Sequence, residues 1–393
     1  MRAPVSLRYE RALTRRYQLA ALLDTIDPDG LEEFSVVFTD RSLNSMSAAF
    51  GDVMRDISGM LKDVYKAEAT AIVPGGGTYA MEAVARQFAT GTHALVVRNG
   101  WFSYRWSQIF EAGGFARETT VVKARLTGND PQSAFMPAPI EDVTARIREA
   151  KPDVGFAPHV ETSAGIILPD AYITELAAAA HEIGAIMVLD CFASGCAWGV
   201  RVVSGVDVLS SAPQMGWSST PSAGLVMMSA RAKERLGKTQ SNSFAIDLAK
   251  WSAIIDTYEG GGHAYHATMP TDGLRAFRDT MLETRDYGFE ELKKNQWALG
   301  NEVRAYLKEK GVKSVAAEGY GAPGVVVSYT ADPDIQNGKK FAAKGMQIAA
   351  GVPLQCDEPD DFRTFRLGLF GLDKLYDVDG TMARLTRVLD QVL

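Results

Sequence analysis

The sequence predicts an α/β protein: a large domain on a mostly parallel sheet with helices on both faces, then a smaller α+β C-terminal domain. Two observations carry this. From about residue 69 to 230, short apolar strand-like runs alternate with helical stretches, the pattern of parallel strands joined by crossover helices. Beyond about residue 275 the alternation gives way to one long helical stretch and then mixed strands and helices. The length, 393 residues, exceeds the roughly 250–300 at which single cores stop growing, which agrees with two domains. The divisions expected are an N-terminal arm over 1–40, a large domain over 41–274 and a small domain over 275–393.

Residues 5–24 suggest an Arg-rich helical arm, and Asp27-Pro-Asp-Gly30 a turn. Phe34–Phe38 reads as a short strand or extended piece. Leu43–Tyr65 is helical, because Phe50, Val53, Met54, Ile57, Leu61 and Val64 recur mostly at intervals of three and four. Ala69–Val73 is a strand that runs into Pro74-Gly-Gly-Gly-Thr78 and a helix from Tyr79 to Ala89. Strand Ala94–Arg98 ends in Asn99-Gly-Trp-Phe102 and leads into a helix carrying Tyr104, Trp106, Ile109 and Phe110. Strand Thr119–Ala124, a polar loop over 125–139 and helix Ile140–Ala150 follow. Strand Asp153–Ala157 ends in the polar cluster Pro158–Gly165, and helix Ala171–Ile183 precedes strand Ile186–Leu189, which stops at Asp190. Asp207–Ala212 and Ala223–Ser229 are two more strands, and Ala230–Leu236 a short helix. After a mixed stretch, His263–Pro270 is a loop ahead of one helix from Leu274 to about Lys310. Val312–Ala317, Gly324–Tyr329 and Thr364–Leu369 read as strands, Phe341–Ala349 and Val378–Leu393 as helices.

Composition narrows the function. A net charge of −7 argues against nucleic-acid and anionic-membrane partners. Cys191, Cys196 and Cys356 form no CxxC and no metal-spaced set, so a reducing compartment is the simplest reading, and a cytoplasmic location with it. No apolar run reaches membrane-spanning length, and the N-terminal residues lack the apolar stretch of a signal peptide.

Strand, glycine loop, helix is the arrangement in which backbone N–H groups and the helix dipole collect an anion. Taken alone, Gly75–Thr78 is equally a plain turn, and it matches neither GxGxxG nor a Walker loop. Asp190 alone reads as an ordinary helix cap after a strand and Trp101 and Phe102 alone as core aromatics, while a surface charge is the competing reading of Arg366.

Together these residues resemble a family: the pyridoxal-phosphate enzymes of fold type I, in the class V aminotransferase group, nearest the alanine–glyoxylate and serine–pyruvate aminotransferases. The resemblance covers nearly the whole chain and is strongest from residue 70 to 275. It implies that Gly76, Gly77 and Thr78 hold the cofactor phosphate with Gln214. Phe102, with Trp101 as competitor, would stack on the pyridine ring, and Phe192 would lie on its other face. Thr162 would bond the phenolic oxygen, and Asp190 would pair with the pyridinium nitrogen, keeping the ring an electron sink. Tyr265 and Thr268 match a pair that reaches the phosphate across a dimer interface, which implies a homodimer with shared active sites. Arg366, in Thr-Phe-Arg-Leu-Gly-Leu, matches the arginine for the substrate α-carboxylate. The implied substrates are a small 2-amino acid and a 2-oxo acid such as glyoxylate or pyruvate.

Two departures stand out. The family's Gly-Pro near the N-terminus is replaced by Val37-Phe-Thr-Asp-Arg-Ser-Leu-Asn44, so substrate preference transfers less well. Met215 stands where the family has its Schiff-base lysine. A thioether cannot form a Schiff base or shuttle a proton to the α-carbon, and the next lysine, Lys233, lies beyond a strand. One reading is an aminotransferase disabled by an engineered Lys-to-Met replacement, holding pyridoxal phosphate non-covalently or as an amino-acid aldimine. A second is a natural, non-catalytic pyridoxal-phosphate-binding protein. A third is a lyase or racemase parent, which shares loss of the α-proton.

Overall fold

The computed structural model describes residues 26–196 and 204–393; the arm helix expected over 5–24 lies outside them. A seven-stranded sheet forms the centre. In chain order its strands are β1 (Ala69–Pro74), β2 (His93–Arg98), β3 (Glu118–Lys123), β4 (Val154–Pro158), β5 (Ile186–Asp190), β6 (Val208–Ser211) and β7 (Ala223–Met228). Their order across the sheet is β1-β7-β6-β5-β4-β2-β3. β7 is antiparallel to both of its neighbours, β1 and β6, while the remaining pairs are parallel. Six strands therefore point the same way. The near-continuous burial of β2, β4, β5 and β7 is what a sheet covered on both faces requires.

Helix α1 (Ala48–Tyr65) starts where the Ser47 hydroxyl accepts the Phe50 N–H, and it buries Phe50, Val53, Met54, Ile57 and Leu61 on one face. Helices α2 (Gly77–Phe88), α3 (Trp101–Gly113), α4 (Ile140–Ala150) and α5 (Asp170–Glu182) are the expected crossovers. They are followed by α6 (Ala230–Leu236) and α7 (Leu248–Glu259), the latter inside the stretch expected to be mixed.

The long helix expected from Leu274 is two helices, α8 (Thr271–Tyr287) and α9 (Phe289–Glu309). They break at Gly288, whose φ of 108° is open to glycine and closed to a helix. The last helix, α10 (Val378–Val392), is as expected. A second sheet follows α9: β8 (Val325–Tyr329), β9 (Ala349–Ala350) and β10 (Thr364–Gly368), with β10 antiparallel to both others.

Four local expectations fail. Phe34–Phe38 bends at Val36 and Val37 and forms no strand, and Phe34 and Val36 are 88% and 102% exposed; strand-prone side chains do not make a strand without a partner edge. Val312–Ala317 makes only isolated bridges, Ser314 to Ser328 and Ala316 to Phe135. Phe341–Ala349 is helical only over Lys339–Ala342; Gly345, at φ 77°, ends it and the chain runs on into β9. The loop over 125–139 contains a short ribbon, Arg125–Leu126 against Phe135–Met136.

One large apolar cluster fills the space around the central sheet. A smaller one, including Phe135, Ile166, Val327 and Leu354, lies under the second sheet, and Met215 packs against it. Among the described residues no helix is long and apolar enough to cross a membrane.

Candidate active site

Because six strands run in one direction, the C-terminal ends of β1, β2, β4, β5 and β6 open on one edge of the sheet. That is where open α/β sheets bind ligands. The chain crosses over between β2 and β4, and a buried cluster is built at this point.

Helix α3 begins at Gly100, which has no side chain to cap the free N–H groups of the first turn. The acceptors come from the turn after β4, about 60 residues along the chain. The Trp101 N–H donates to the Ser163 hydroxyl at 2.9 Å, and the Phe102 and Ser103 N–H groups donate to the Glu161 carboxylate at 3.1 and 2.9 Å. The Ser103 and Ser163 hydroxyls also donate to Glu161, at 2.6 and 2.7 Å. Glu161 is fully buried, and these donors at the positive end of a helix satisfy both of its carboxyl oxygens. Gly100 is required by close approach: a Cβ there would sit 2.2 Å from Ser163 Oγ.

The clamp fixes the direction of α3 and hence Phe102 and Arg105. Arg105 Nη1 donates to the Thr78 hydroxyl at 3.2 Å, and its guanidinium lies 5.1 Å from the Phe102 ring centroid. Arg366, on β10, lies 5.5 Å from the same centroid, held by an Nε bond to the Ala350 carbonyl at 2.8 Å. Burial weakens the hold of Arg366 on its proton, and the charge of Glu161 opposes that effect. Neither arginine forms an ion pair among the described residues.

Asp190 ends β5 and is buried. Burial pushes its carboxyl up to about 7; the Phe192 N–H, donating at 3.1 Å, pulls it down, the charge of Glu161 adds to the rise, and Arg105 offsets part of it. No cation pairs with Asp190 among the described residues. The Phe192 ring lies over the start of α2, where a Cβ on Gly77 would come within 2.8 Å of it. Behind it, His159 is buried with Nδ1 2.7 Å from the Ser194 hydroxyl. Burial holds that ring down at about 4, with Lys293 lowering it further, so it is neutral at ordinary pH.

Gly76 caps α2, Gly77 and Thr78 begin it, and no acidic side chain stands in its first turn. Thr162 is half-buried beside Glu161. Gln214 is exposed and Met215 half-buried in the turn after β6. That turn is pinned by Ser218, at φ 59°, whose hydroxyl accepts the Leu372 N–H at 2.7 Å. Gly216 packs on Gly195, where a Cβ would meet the Gly195 carbonyl at 2.5 Å. Lys233 is committed elsewhere, to Ser252 and Asp256. Tyr265, 60% exposed, and Thr268 share a hydroxyl contact of 3.1 Å, but no hydrogen bond links either to Gly76, Gly77 or Thr78.

Sequence reasoning named Phe102, Asp190, Phe192 and the glycine loop, which follow strand ends of the central sheet, and Arg366, which approaches Phe102 from β10 of the second sheet. It missed Glu161, Ser163, Arg105 and His159. The available signal was the helix start at Gly100: a first turn with no local cap needs an acceptor from elsewhere.

No protein-family model matches the chain. It is 30% identical over 261 residues to an alanine–glyoxylate aminotransferase of Felis catus; the match takes in 65% of this chain and 59% of that relative. The chain thus spans less than two thirds of the first curated relatives it matches. Its fold is similar to that of an alanine–glyoxylate aminotransferase of Nostoc sp., with TM-score 0.71, 22% identity and coverage of 88% and 89% of the two chains. It is equally similar to an aspartate aminotransferase of Thermus thermophilus, with TM-score 0.71, 24% identity and coverage of 88% and 92%.

Proposed function

We propose, from its similarity to alanine–glyoxylate aminotransferases, that the chain is a member of the class V aminotransferase family of fold type I and that it binds pyridoxal phosphate without a covalent tether. The parent activity we propose is transfer of an amino group between a small 2-amino acid and a 2-oxo acid such as glyoxylate or pyruvate, impaired here by Met215. The observation that carries the cofactor reading is Asp190. A buried carboxylate pushed up to about 7 with no cationic partner is matched by a ring nitrogen that brings a proton. When bound, the cofactor supplies an electron sink for bond breaking at the α-carbon of an amino acid.

The chain's own residues divide the remaining work. Asp190 holds the proton at the ring nitrogen. Phe102 and Phe192 supply apolar faces for the ring, and Thr162 a hydroxyl at its edge. The N–H groups at Gly76–Thr78 bind the phosphate, and Gln214 serves as a further donor to it. Arg366 receives the substrate carboxylate as a planar, two-pronged donor. Tyr265 and Thr268 serve the phosphate site of a second copy in a homodimer, consistent with their exposure in one chain. We place the protein in the cytoplasm, in keeping with three unpaired cysteines. Met215 can neither tether the cofactor nor move a proton at the α-carbon.

Met215 itself favours a second reading, a non-catalytic cofactor-binding protein, because an apolar thioether packed against the smaller cluster needs no lysine to be stable. Met215→Lys separates the two. The expected result is cofactor attachment that borohydride makes permanent, with transamination of a small amino acid onto glyoxylate or pyruvate. Cofactor binding without consumption of amino acid selects the second reading. Ammonia release or racemisation without a 2-oxo acid selects a lyase or racemase parent. If neither form binds pyridoxal phosphate, the cofactor reading is wrong.

A further inference from the structure

We infer that Arg105 is the cation of the phosphate site, placed to pair with a phosphate dianion at the N-terminus of α2. This rests on the cofactor reading above and adds to it a residue the sequence did not single out. The need for such a cation is one of charge. A helix N-terminus presents about half an elementary charge, far less than a phosphate dianion carries. Gly76, Gly77, Thr78, Gln214, Tyr265 and Thr268 are all uncharged. With Met215 at the tether position, retention of the ligand falls wholly on non-covalent contacts.

Arg105 meets the need in position and in availability. Its Nη1 donates to the Thr78 hydroxyl at 3.2 Å, which brings the guanidinium to the first turn of α2. It is half-buried, and among the described residues no carboxylate pairs with it. Its charge also acts on the Asp190 carboxyl, lowering it against the rise that burial causes. Its place is set from outside: α3 is held by Glu161 and Ser163, and Arg105 lies one turn along. A guanidinium offers a phosphate two parallel N–H donors, and this one also lies 5.1 Å from the Phe102 ring centroid.

The test compares pyridoxamine 5′-phosphate with pyridoxamine, two ligands that need no lysine and differ only in the phosphate. Binding is read by calorimetry or tryptophan quenching on the full chain. Arg105→Ala should weaken pyridoxamine phosphate roughly 10–100-fold, the usual range for a charge-assisted bond, and change pyridoxamine by no more than about twofold. Arg105→Lys should recover part of the loss, and it keeps the comparison readable should the alanine variant fold poorly. Equal loss on both ligands, or no loss on the phosphate, overturns the assignment. If the unsubstituted chain binds neither ligand, the cofactor reading falls and the assignment falls with it.

Discussion

Asp190→Asn should make the protein more stable at neutral pH while weakening its hold on the proposed cofactor. Burial raises the Asp190 carboxyl from 3.8 to about 7, so the folded chain holds a proton there that the unfolded chain releases. Stability from this group is full below pH 3.8 and is lost as pH rises toward 7. At 1.36 kcal/mol per pKa unit the loss is about 4 kcal/mol, good to about 1.4 in either direction. Asparagine is nearly isosteric, still accepts the Phe192 N–H through its carbonyl, and does not titrate. The assay is urea unfolding of parent and variant, without ligand, at whole pH values from 4 to 8. The difference between the two should grow in the variant's favour by roughly 3.5 kcal/mol between pH 4 and 8, flattening above pH 7. Taking the difference matters, because His159 contributes the opposite slope. Its ring is held down at about 4 from 6.5, so its stabilisation is present above 6.5 and lost as pH falls through 4, and it cancels between parent and variant. A difference that stays flat within about 0.5 kcal/mol would refute the picture of Asp190 as a desolvated, unpaired acid.

Two further outcomes test the frame around it. Glu161→Ala leaves the first N–H groups of α3 without an acceptor and should cost roughly 3 kcal/mol or more in urea unfolding. Glu161→Gln should restore less than half, because donors converge on both carboxylate oxygens and an amide offers one; full recovery would mean the charge is immaterial. Gly77→Ala should cost about 1–3 kcal/mol, since its Cβ would lie 2.8 Å from the Phe192 ring. In a double-mutant cycle with Phe192→Ala most of that cost should vanish, and additive effects would show that the ring is not what the methyl meets.

The parts of this protein that were legible in its sequence are those set by neighbours along the chain. The glycine loop, Asp190 at its strand end and the crossover helices follow from periodicity and from which residues end a strand. Tertiary partners were not legible. Phe34–Phe38 has strand-like side chains and no edge to pair with. Gly288, inside an otherwise helical pattern, carries the dihedral that splits one helix into two. Glu161 looked like one polar residue among several, because the N–H groups that justify burying it lie on α3, some 58 residues earlier. Arg105 was hidden for the same reason: Thr78 is 27 residues away and on another helix.

This division bears on what Met215 means. Glu161 and its serines are explained by packing in this chain alone, because removing the carboxylate strands buried donors; their presence says nothing about ligands. The glycines are also ambiguous, since Gly77 and Gly100 are needed for close packing alone. Asp190 differs. It accepts one backbone bond, pairs with no described cation, and by the linkage above lowers stability at neutral pH. Packing alone would be served as well by asparagine. Arg105 and Arg366 stand in the same position, two half-buried cations without carboxylate partners beside the same ring. The proposed ligand, anionic and with a protonated ring nitrogen, carries the charges that these three residues lack. A site left over from lost chemistry should have relaxed at these three residues before it relaxed anywhere else. Their combination with Met215 favours the proposed reading of a pocket that keeps its ligand contacts and lacks the tether.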